Sequence, residues 1–467
     1  MDPVAVEGFL RRAAETAEAI RRAPRVHVVS HIDADGLTSA SIAVSMLRRA
    51  GIPHDLEFVK SITPSELERI RAAAHPFVLF TDLGSGSADV LKDWTCAVAD
   101  HHQMGADFAT HLNPRLFGLG GESCSGAGSA YFIARALDPA NVDLAALAVV
   151  GAVGDLQDAD ACRLTGLNRV ILEDGRRAGV VEWRLDARWF GRETRPVYKM
   201  LQYADDPLLP GVSGSDQAAM RFVQDQGVAL RERETWRRWT QLSLEERRAI
   251  LSAAAVRVTR TRGAAEARRM IGEVYVLSRE APGTPLRDAK EFATLLNSTA
   301  RYGEGPTGLA VCLGDRDAGY RKALSLLRGH RQNLVSGVQL AQLKVERREI
   351  VQWFDAGESI RDTIVGIVAG MMYGAGASRE LPIVGFARAS ETETKVSARA
   401  PRELVLQGVV LSQAVGEAAR EVGGSGGGHD GAAGATIPLG KEPEFLERLE
   451  SVLKRQLSKP VTVSATG

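Results

Sequence analysis

The chain has 467 residues, with 58 Lys and Arg against 58 Asp and Glu, 45% hydrophobic and 25% charged residues. That length implies two to four domains, and the composition is that of a globular chain with more than one buried core. It excludes a disordered or collagen-like polymer, and no apolar window reaches the roughly 18 residues of a membrane span.

The first 150 residues alternate helix-like and strand-like segments. Val6, Phe9, Leu10, Ala13, Ala17 and Ile20 share one helical face over residues 4–21. Val26 to Val29 is a β-branched run, followed by helical spacing from Thr38 to Ala50 and a second strand at Leu56 to Val59. Thr63-Pro64-Ser65-Glu66 is a capping box that opens a helix to Ala74. Phe77 to Phe80 and Cys96 to Ala99 are two further strands. The order β-α-β-α-β predicts a parallel sheet with helices on its faces and a site beyond the carboxyl ends of its strands. Residues 165–255 read as helical without strands. Alternation returns over 272–345, with strands at Glu273 to Leu277 and Leu309 to Leu313 and helices near Phe292 and Ala323, as in a small α/β insert. From about Ile350, strands at Val351 to Phe354, Ile383 to Phe386 and Thr394 to Ala398 alternate with helices.

Cys96, Cys124, Cys162 and Cys312 lie far apart with no C-x-x-C spacing, so they form neither a disulfide framework nor a thiolate zinc site. They read as small buried residues in a reducing cytoplasm. The N-terminus lacks the apolar core of a signal peptide, so the expected location is cytoplasmic.

The chemistry is concentrated in acidic motifs at strand ends. The first strand runs into Ser30-His31-Ile32-Asp33-Ala34-Asp35-Gly36, the third into Thr81-Asp82-Leu83-Gly84 and the fourth into Ala99-Asp100-His101-His102. A later apolar helix runs into Gly151-Ala152-Val153-Gly154-Asp155. One such Asp is an ordinary turn residue. Several on one sheet edge repel each other unless a cation neutralises them. Mixed carboxylate and imidazole donors suit Mn²⁺, and also Mg²⁺ or Co²⁺. The supply suffices for two ions sharing a carboxylate, an arrangement used for in-line displacement at phosphorus.

Asp100-His101-His102 after His31-Ile32-Asp33-Ala34-Asp35-Gly36 resembles the DHH phosphoesterase superfamily. Gly426-Gly427-Gly428-His429-Asp430-Gly431-Ala432-Ala433-Gly434 is similar to the glycine loop of its associated C-terminal domain, and Thr394-Lys395-Val396-Ser397-Ala398-Arg399 to the strand that brings an Arg to substrate there. Length, the helical middle (with Phe190-Gly191-Arg192-Glu193-Thr194-Arg195-Pro196) and the insert resemble the archaeal RecJ-like nucleases. The resemblance implies an α/β fold in four parts. These are a parallel-sheet DHH domain at 1–165, a helical connector at 166–255, a small α/β insert at 256–348 and a smaller α/β DHH-associated domain at 349–467.

It also implies roles. His31, Asp33, Asp35, Asp82, His101 and Asp155 become ligands of two divalent metal ions, with Asp82 the bridge. Asp35 and Asp82, with His102 facing the phosphate and Asp100 orienting the ligand His101, form the catalytic group. Arg399, Ser397, Gly427, Gly428 and His429 bind substrate. Glycines let backbone amides approach an anion, and a helix starting after them would add a favourable dipole. The expected arrangement is a cleft between metals and clamp.

Two segments are ambiguous from sequence. Ser123-Cys124-Ser125-Gly126-Ala127-Gly128 before a helix reads as a capped turn or as a phosphate loop. Residues 221–270 carry 12 Arg and 6 acidic residues with Trp236 and Trp239, a pattern that suits either single-stranded nucleic acid or a solvated helix with core tryptophans. Residues 1–160, by contrast, carry 13 basic and 21 acidic side chains. Zero net charge is thus a sum of unlike parts.

The expected function is a two-metal exonuclease acting on single-stranded DNA or RNA from an end, in replication or repair. The alternatives are a phosphodiesterase for oligoribonucleotides or cyclic dinucleotides, and a scaffold on the replicative helicase. Expected partners are single-stranded nucleic acid, the helicase-associated GINS complex or a repair helicase, and no membrane.

Overall fold

Asp2 caps the first helix, its side chain accepting the Val4 amide at 3.0 Å, and Pro3 begins it. The helix (α1, Pro3–Arg22) buries Phe9, Ala13, Ala17 and Ile20. There follow β1 (Val26–His31), α2 (Ala34–Arg49), β2 (His54–Val59), α3 (Pro64–Ala72), β3 (Val78–Thr81), α4 (Ala88–Leu91), β4 (Cys96–Ala99) and β5 (His111–Leu112). Then come α5 (Gly126–Leu137), α6 (Ala145–Gly154) and α7 (Asn168–Arg177). This computed structural model describes residues 2–458. It divides into units Met1–Leu327 and Arg328–Gly467, and residues 459–467 of the expected C-terminal domain lie outside the described residues.

All strand pairs in the first sheet are parallel, in the order β2-β1-β3-β4-β5. The chain steps from β1 outward to β2 and back to β3, so β1 and β3 flank a switch point. Loops following adjacent strands that depart in opposite directions leave a crevice there. This topology places the loop after β3 between the loops after β1 and β4.

Beyond α7 the structure departs from the sequence reading. Residues 165–255 contain strands: β6 (Val181–Ala187), β7 (Arg231–Glu232) and β8 (Thr235–Trp236). β6 pairs antiparallel with β9 (Ile271–Leu277) and frames a module with its own core of Trp189, Met200, Phe222, Trp239 and Met270. Charged residues alternate through Val181-Glu182-Trp183-Arg184-Leu185-Asp186, which masks the strand in a search for apolar runs. Of Leu309 to Leu313, expected as a strand, residues 309–312 lie in the helix Gly305–Cys312, which has Pro at its start, and Leu313 caps its end. A short apolar run does not distinguish strand from buried helix, and here the Gly-Pro start decides. The expected separate insert at 256–348 is also revised. The helices Ala289–Arg301 and Gly305–Cys312 give Phe292, Leu295, Leu296 and Val311 to the same core as α1, α2, α5 and α6.

The second unit holds β10 (Glu346–Arg347), β11 (Gln352–Asp355), β12 (Ile383–Arg388), β13 (Glu393–Arg399), β14 (Ser425–His429) and β15 (Ala432–Pro438). Their order is β10-β11-β12-β13-β15-β14, with only β11 and β12 parallel. Helices Leu411–Glu421 and Glu442–Leu457 cover one face through Val396, Ala398, Ala433, Ala435 and Ile437. The glycine-rich segment is therefore not a loop leading into a helix. It is an edge strand, followed by a tight turn and β15. Among the described residues no helix is long and apolar enough to cross a membrane.

Candidate metal centre

Four segments converge beyond the carboxyl edge of the first sheet. β1 runs out at His31, and Asp33 caps α2 by accepting the Gly36 amide at 2.9 Å. Asp35, in the first turn of α2, is fully buried. Asp82 follows β3 with φ +58°, a left-handed conformation that Asp tolerates better than most L-residues. Asp100, His101 and His102 follow β4, and Asp155 ends α6.

These side chains form two groups that share one carboxylate. His101 Nε2 lies 2.9 Å from Asp155 Oδ2, 3.6 Å from Asp82 Oδ1 and 3.9 Å from Asp35 Oδ2. His31 Nδ1 lies 3.1 Å from Asp33 Oδ2 and 3.4 Å from Asp82 Oδ2. The donor atoms of Asp35, Asp82, His101 and Asp155 all fall within 4.8 Å of one another, as do those of His31, Asp33 and Asp82. Asp82 turns one oxygen to each group.

The donors fit a pair of cations. His31 Nδ1, His101 Nε2 and both Asp82 oxygens are buried without a hydrogen bond of acceptable geometry. Each orphaned buried group costs about 1–3 kcal/mol, more when charged, so two bound ions that between them use all four would remove a large penalty. The electrostatics agree. Burial, then the charges of Asp82 and Asp155, push Asp35 well above the ordinary carboxylate range. Burial also raises Asp155. Burial acts the same way on Asp82, but contacts from His101 and His31 outweigh it and hold Asp82 well below its ordinary value. Burial opposes a charge on His31, yet Asp33 and then Asp82 push its pKa up to about 11. Protons on the two rings offset the carboxylates in the absence of a cation, and divalent ions would replace them.

The surroundings hold these donors in place. Asp35 Oδ2 accepts the Gly126 amide at 2.7 Å and Oδ1 the Ala127 amide at 3.1 Å. Ser125 caps α5 through the Gly128 amide. The Ser123–Gly128 segment is thus a capped turn, and the anion at its helix start is the protein's own carboxylate. A Cβ on Gly126 would lie 2.6 Å from Asp82 Oδ1, and one on Gly151 would lie 2.2 Å from Asp35 Oδ1. His101 Nδ1 donates to the Gly121 carbonyl at 3.0 Å, which fixes Nε2 toward the carboxylates. This corrects the role expected of Asp100. Its Oδ1 accepts the His101 amide and His102 Nδ1, both at 2.8 Å, and its Oδ2 the Ser85 amide at 2.9 Å. Asp100 therefore sets the backbone of the motif and the ring of His102, not the ring of His101.

Residues not singled out in the sequence complete the site. Asn297 accepts the Ala34 amide at 3.0 Å, and Arg301, four residues on, feels the charge of Asp33. Their spacing puts both on one face of Ala289–Arg301, a signal present in the sequence with nothing there to aim it.

In the second unit, register aligns the expected anion-binding residues. Arg399, Ala432 and His429 are cross-strand neighbours, as are Ser397, Gly434 and Gly427. The two rows are two residues apart, so they share one face. That face is opposite the buried Val396 and Ala398. A Cβ on Gly427 would meet nothing, which leaves the backbone open. Gly428 instead belongs to the row of Ala398 and Ala433, on the core side. Part of the Arg-rich span is committed to contacts within the first unit. Arg237 pairs with Glu246 at 2.7 Å through both nitrogens, and Trp239 is buried with its Nε1 donating to Asp186 at 2.8 Å. Arg231 stacks 4.0 Å from the Trp236 ring centroid.

Residues 189–271 match the DHH-CID domain and residues 344–455 match the DHHA1 domain. The single-stranded-DNA-specific exonuclease RecJ of Thermus thermophilus is 31% identical over 192 residues, 36% of this chain and 27% of that protein. Its Mn²⁺ complex superposes with TM-score 0.58 at 20% identity, over 96% of this chain and 55% of that one. The chain is a RecJ-like member of the DHH superfamily. It spans about half the length of the RecJ chain it matches in structure. An uncharacterized protein of Methanocaldococcus jannaschii is 27% identical over 446 residues, 93% of the RecJ-like chain and 94% of its own length. CDC45 of Entamoeba histolytica shares the fold, with TM-score 0.65 at 11% identity over 96% of this chain and 99% of that one.

Proposed function

We propose that this RecJ-like chain is a two-metal phosphodiesterase that releases nucleotides from an end of single-stranded DNA or RNA. The shared carboxylate of Asp82 carries the reading, because it splits one donor set into two adjacent cation sites. His31 and Asp33 would hold one ion, Asp35, His101 and Asp155 the other, and Asp82 both. Bound divalent ions would supply Lewis acidity and lower the pKa of water at neutral pH. The chain's own groups do the rest. With Nδ1 committed to Asp100, the half-exposed ring of His102 offers Nε2 to a phosphate oxygen. In the second unit, Arg399 and His429 lie in one cross-strand row and would by themselves offer charge-assisted hydrogen bonds to an anionic group of substrate. Similarity to RecJ favours 5′→3′ degradation of DNA, with Mn²⁺ as the working metal.

Labelled single strands with Mn²⁺ test this. Wild type should release mononucleotides from one end, and Asp35→Ala and Asp82→Ala should lose activity by about 100-fold or more. Retained cleavage in those variants would sink the two-metal assignment. DNA and RNA strands labelled at either end give polarity and sugar preference, and a length series exposes any preference for very short oligonucleotides. The fold shared with CDC45 supports a second reading, docking to a replicative helicase. Pull-down with Asp82→Ala separates docking from catalysis.

A further inference from the structure

The turn that follows the ligand Asp155 contains a residue its geometry disfavours. α6 ends in a Schellman motif. The Gln157 amide bonds the Ala152 carbonyl at 3.0 Å and the Leu156 amide bonds the Val153 carbonyl at 3.1 Å. The residue in the left-handed position of such a motif is usually Gly, because a Cβ there clashes with backbone. Here it is Leu156, with φ +59°. Among the described residues only five other than Gly have positive φ, and Asp82 and Leu156 are two of them. Asp82 has a clear reason, since its carboxylate joins both metal groups. Leu156 does not repay its conformation by packing, because it is 63% exposed and outside every apolar core. A branched apolar residue thus adopts an unfavourable backbone conformation and stands in water one position past a metal donor.

We infer that Leu156 is a substrate-contact residue that lies against the nucleobase of the nucleotide whose phosphate faces the metal centre. This rests on the phosphodiesterase reading above. The acidic and imidazole donors take charge and carry no information about the rest of a nucleotide. An exposed aliphatic side chain one residue past the donor Asp155 has no hydrogen bond to give. What it can cover on a nucleotide is the apolar face of the base, which all four bases present, so the contact requires a base without selecting one.

Leu156→Gly, Leu156→Ala and Leu156→Met separate the two properties of the residue. Gly relieves the backbone, so thermal unfolding of Leu156→Gly should rise by about 1–2 °C, whereas Leu156→Ala keeps the strain and should not gain. Activity is compared on single strands whose terminal nucleotide carries a base and on strands with an abasic analogue at that nucleotide. Wild type should prefer the base-bearing end. In Leu156→Ala and Leu156→Gly that preference in kcat/KM should fall about fivefold, chiefly through KM, and Leu156→Met should restore it. A preference unchanged in all three variants overturns the contact. A fall in unfolding temperature for Leu156→Gly overturns it too, since Leu156 would then be a packing residue. Failure of wild type to cleave either strand with Mn²⁺ overturns the phosphodiesterase reading itself.

Discussion

At the scale of single residues, the candidate metal centre is built as much by missing side chains as by present ones. Gly151 sits inside α6, where Ala would ordinarily be favoured by about 1 kcal/mol. Packing reverses that preference. A Cβ at 151 would lie 2.2 Å from Asp35 Oδ1 and 2.6 Å from both Ala127 Cβ and Thr38 Oγ1. None of these can retreat, because Asp35 is held by two amides of α5 and Thr38 Oγ1 bonds the Ala34 carbonyl at 2.9 Å. Gly151→Ala should therefore destabilise the protein by about 1–3 kcal/mol and weaken Mn²⁺ binding. Urea unfolding and a Mn²⁺ titration check both. A more stable variant with normal affinity would show that propensity outweighs the contact. The sequence displayed the donors, because Asp and His at strand ends carry their own signal. It did not display Gly121, Gly126 or Gly151, whose roles depend on which helix crosses which strand. Gly is also common enough for turns to hide it. The same limit explains Asp100. Its position before His101 is legible, but which ring it holds depends on where the Gly121 carbonyl falls.

At the scale of elements, the helix Ala289–Arg301 links the connector module to the candidate metal centre. One end carries Asn297 and Arg301 to the α2 start. The other is clasped by the loop Phe190–Pro196 through buried polar contacts. Arg192 Nη2 lies 2.6 Å from Asp288 Oδ2, and Asp288 caps the helix through the Lys290 and Glu291 amides. Glu291 accepts the Glu193 amide at 2.8 Å and the Thr194 hydroxyl. That loop is legible in the sequence as a motif, whereas the helix it clasps reads there as part of a separate insert, since local periodicity shows an amphipathic face but not its partner. Burial, reinforced by the charge of Asp288, raises the pKa of Glu291 to about 7. The sign follows from linkage. Below the unfolded value near 4.5 the acid is neutral in both states. As pH rises to 7 the unfolded chain ionises first, and stability is lost across that window. Glu291→Gln keeps an acceptor and removes the charge. Its stability relative to wild type should be close to zero at pH 4.5 and more favourable by about 2–3 kcal/mol at pH 8. Unfolding curves at the two pH values measure it. A constant difference would mean that folding does not raise the pKa of Glu291.

At the scale of the whole molecule, the equal counts of acid and base conceal a division that metal should expose. Residues 1–160 hold 13 basic against 21 acidic side chains and supply every proposed metal ligand. The second unit has cores of its own and none of those ligands. Two divalent ions return four positive charges to the acidic segment. They should therefore stabilise the first unit in two ways. Binding at about 100 times Kd adds about 2.7 kcal/mol per ion by mass action, and neutralisation relieves repulsion among the carboxylates. Monovalent salt can replace only the second effect, because screening at a Debye length near 10 Å weakens repulsion without coordinating anything. Calorimetry should then resolve a transition of the first unit that moves up with NaCl in chelator, and moves much less with NaCl once Mn²⁺ is saturating. The transition of the second unit should not respond to Mn²⁺. If both transitions shift together with Mn²⁺, binding to the first unit is coupled to the second. If neither shifts, the buried donors do not hold a cation, and the unsatisfied atoms of His31, Asp82 and His101 need another explanation.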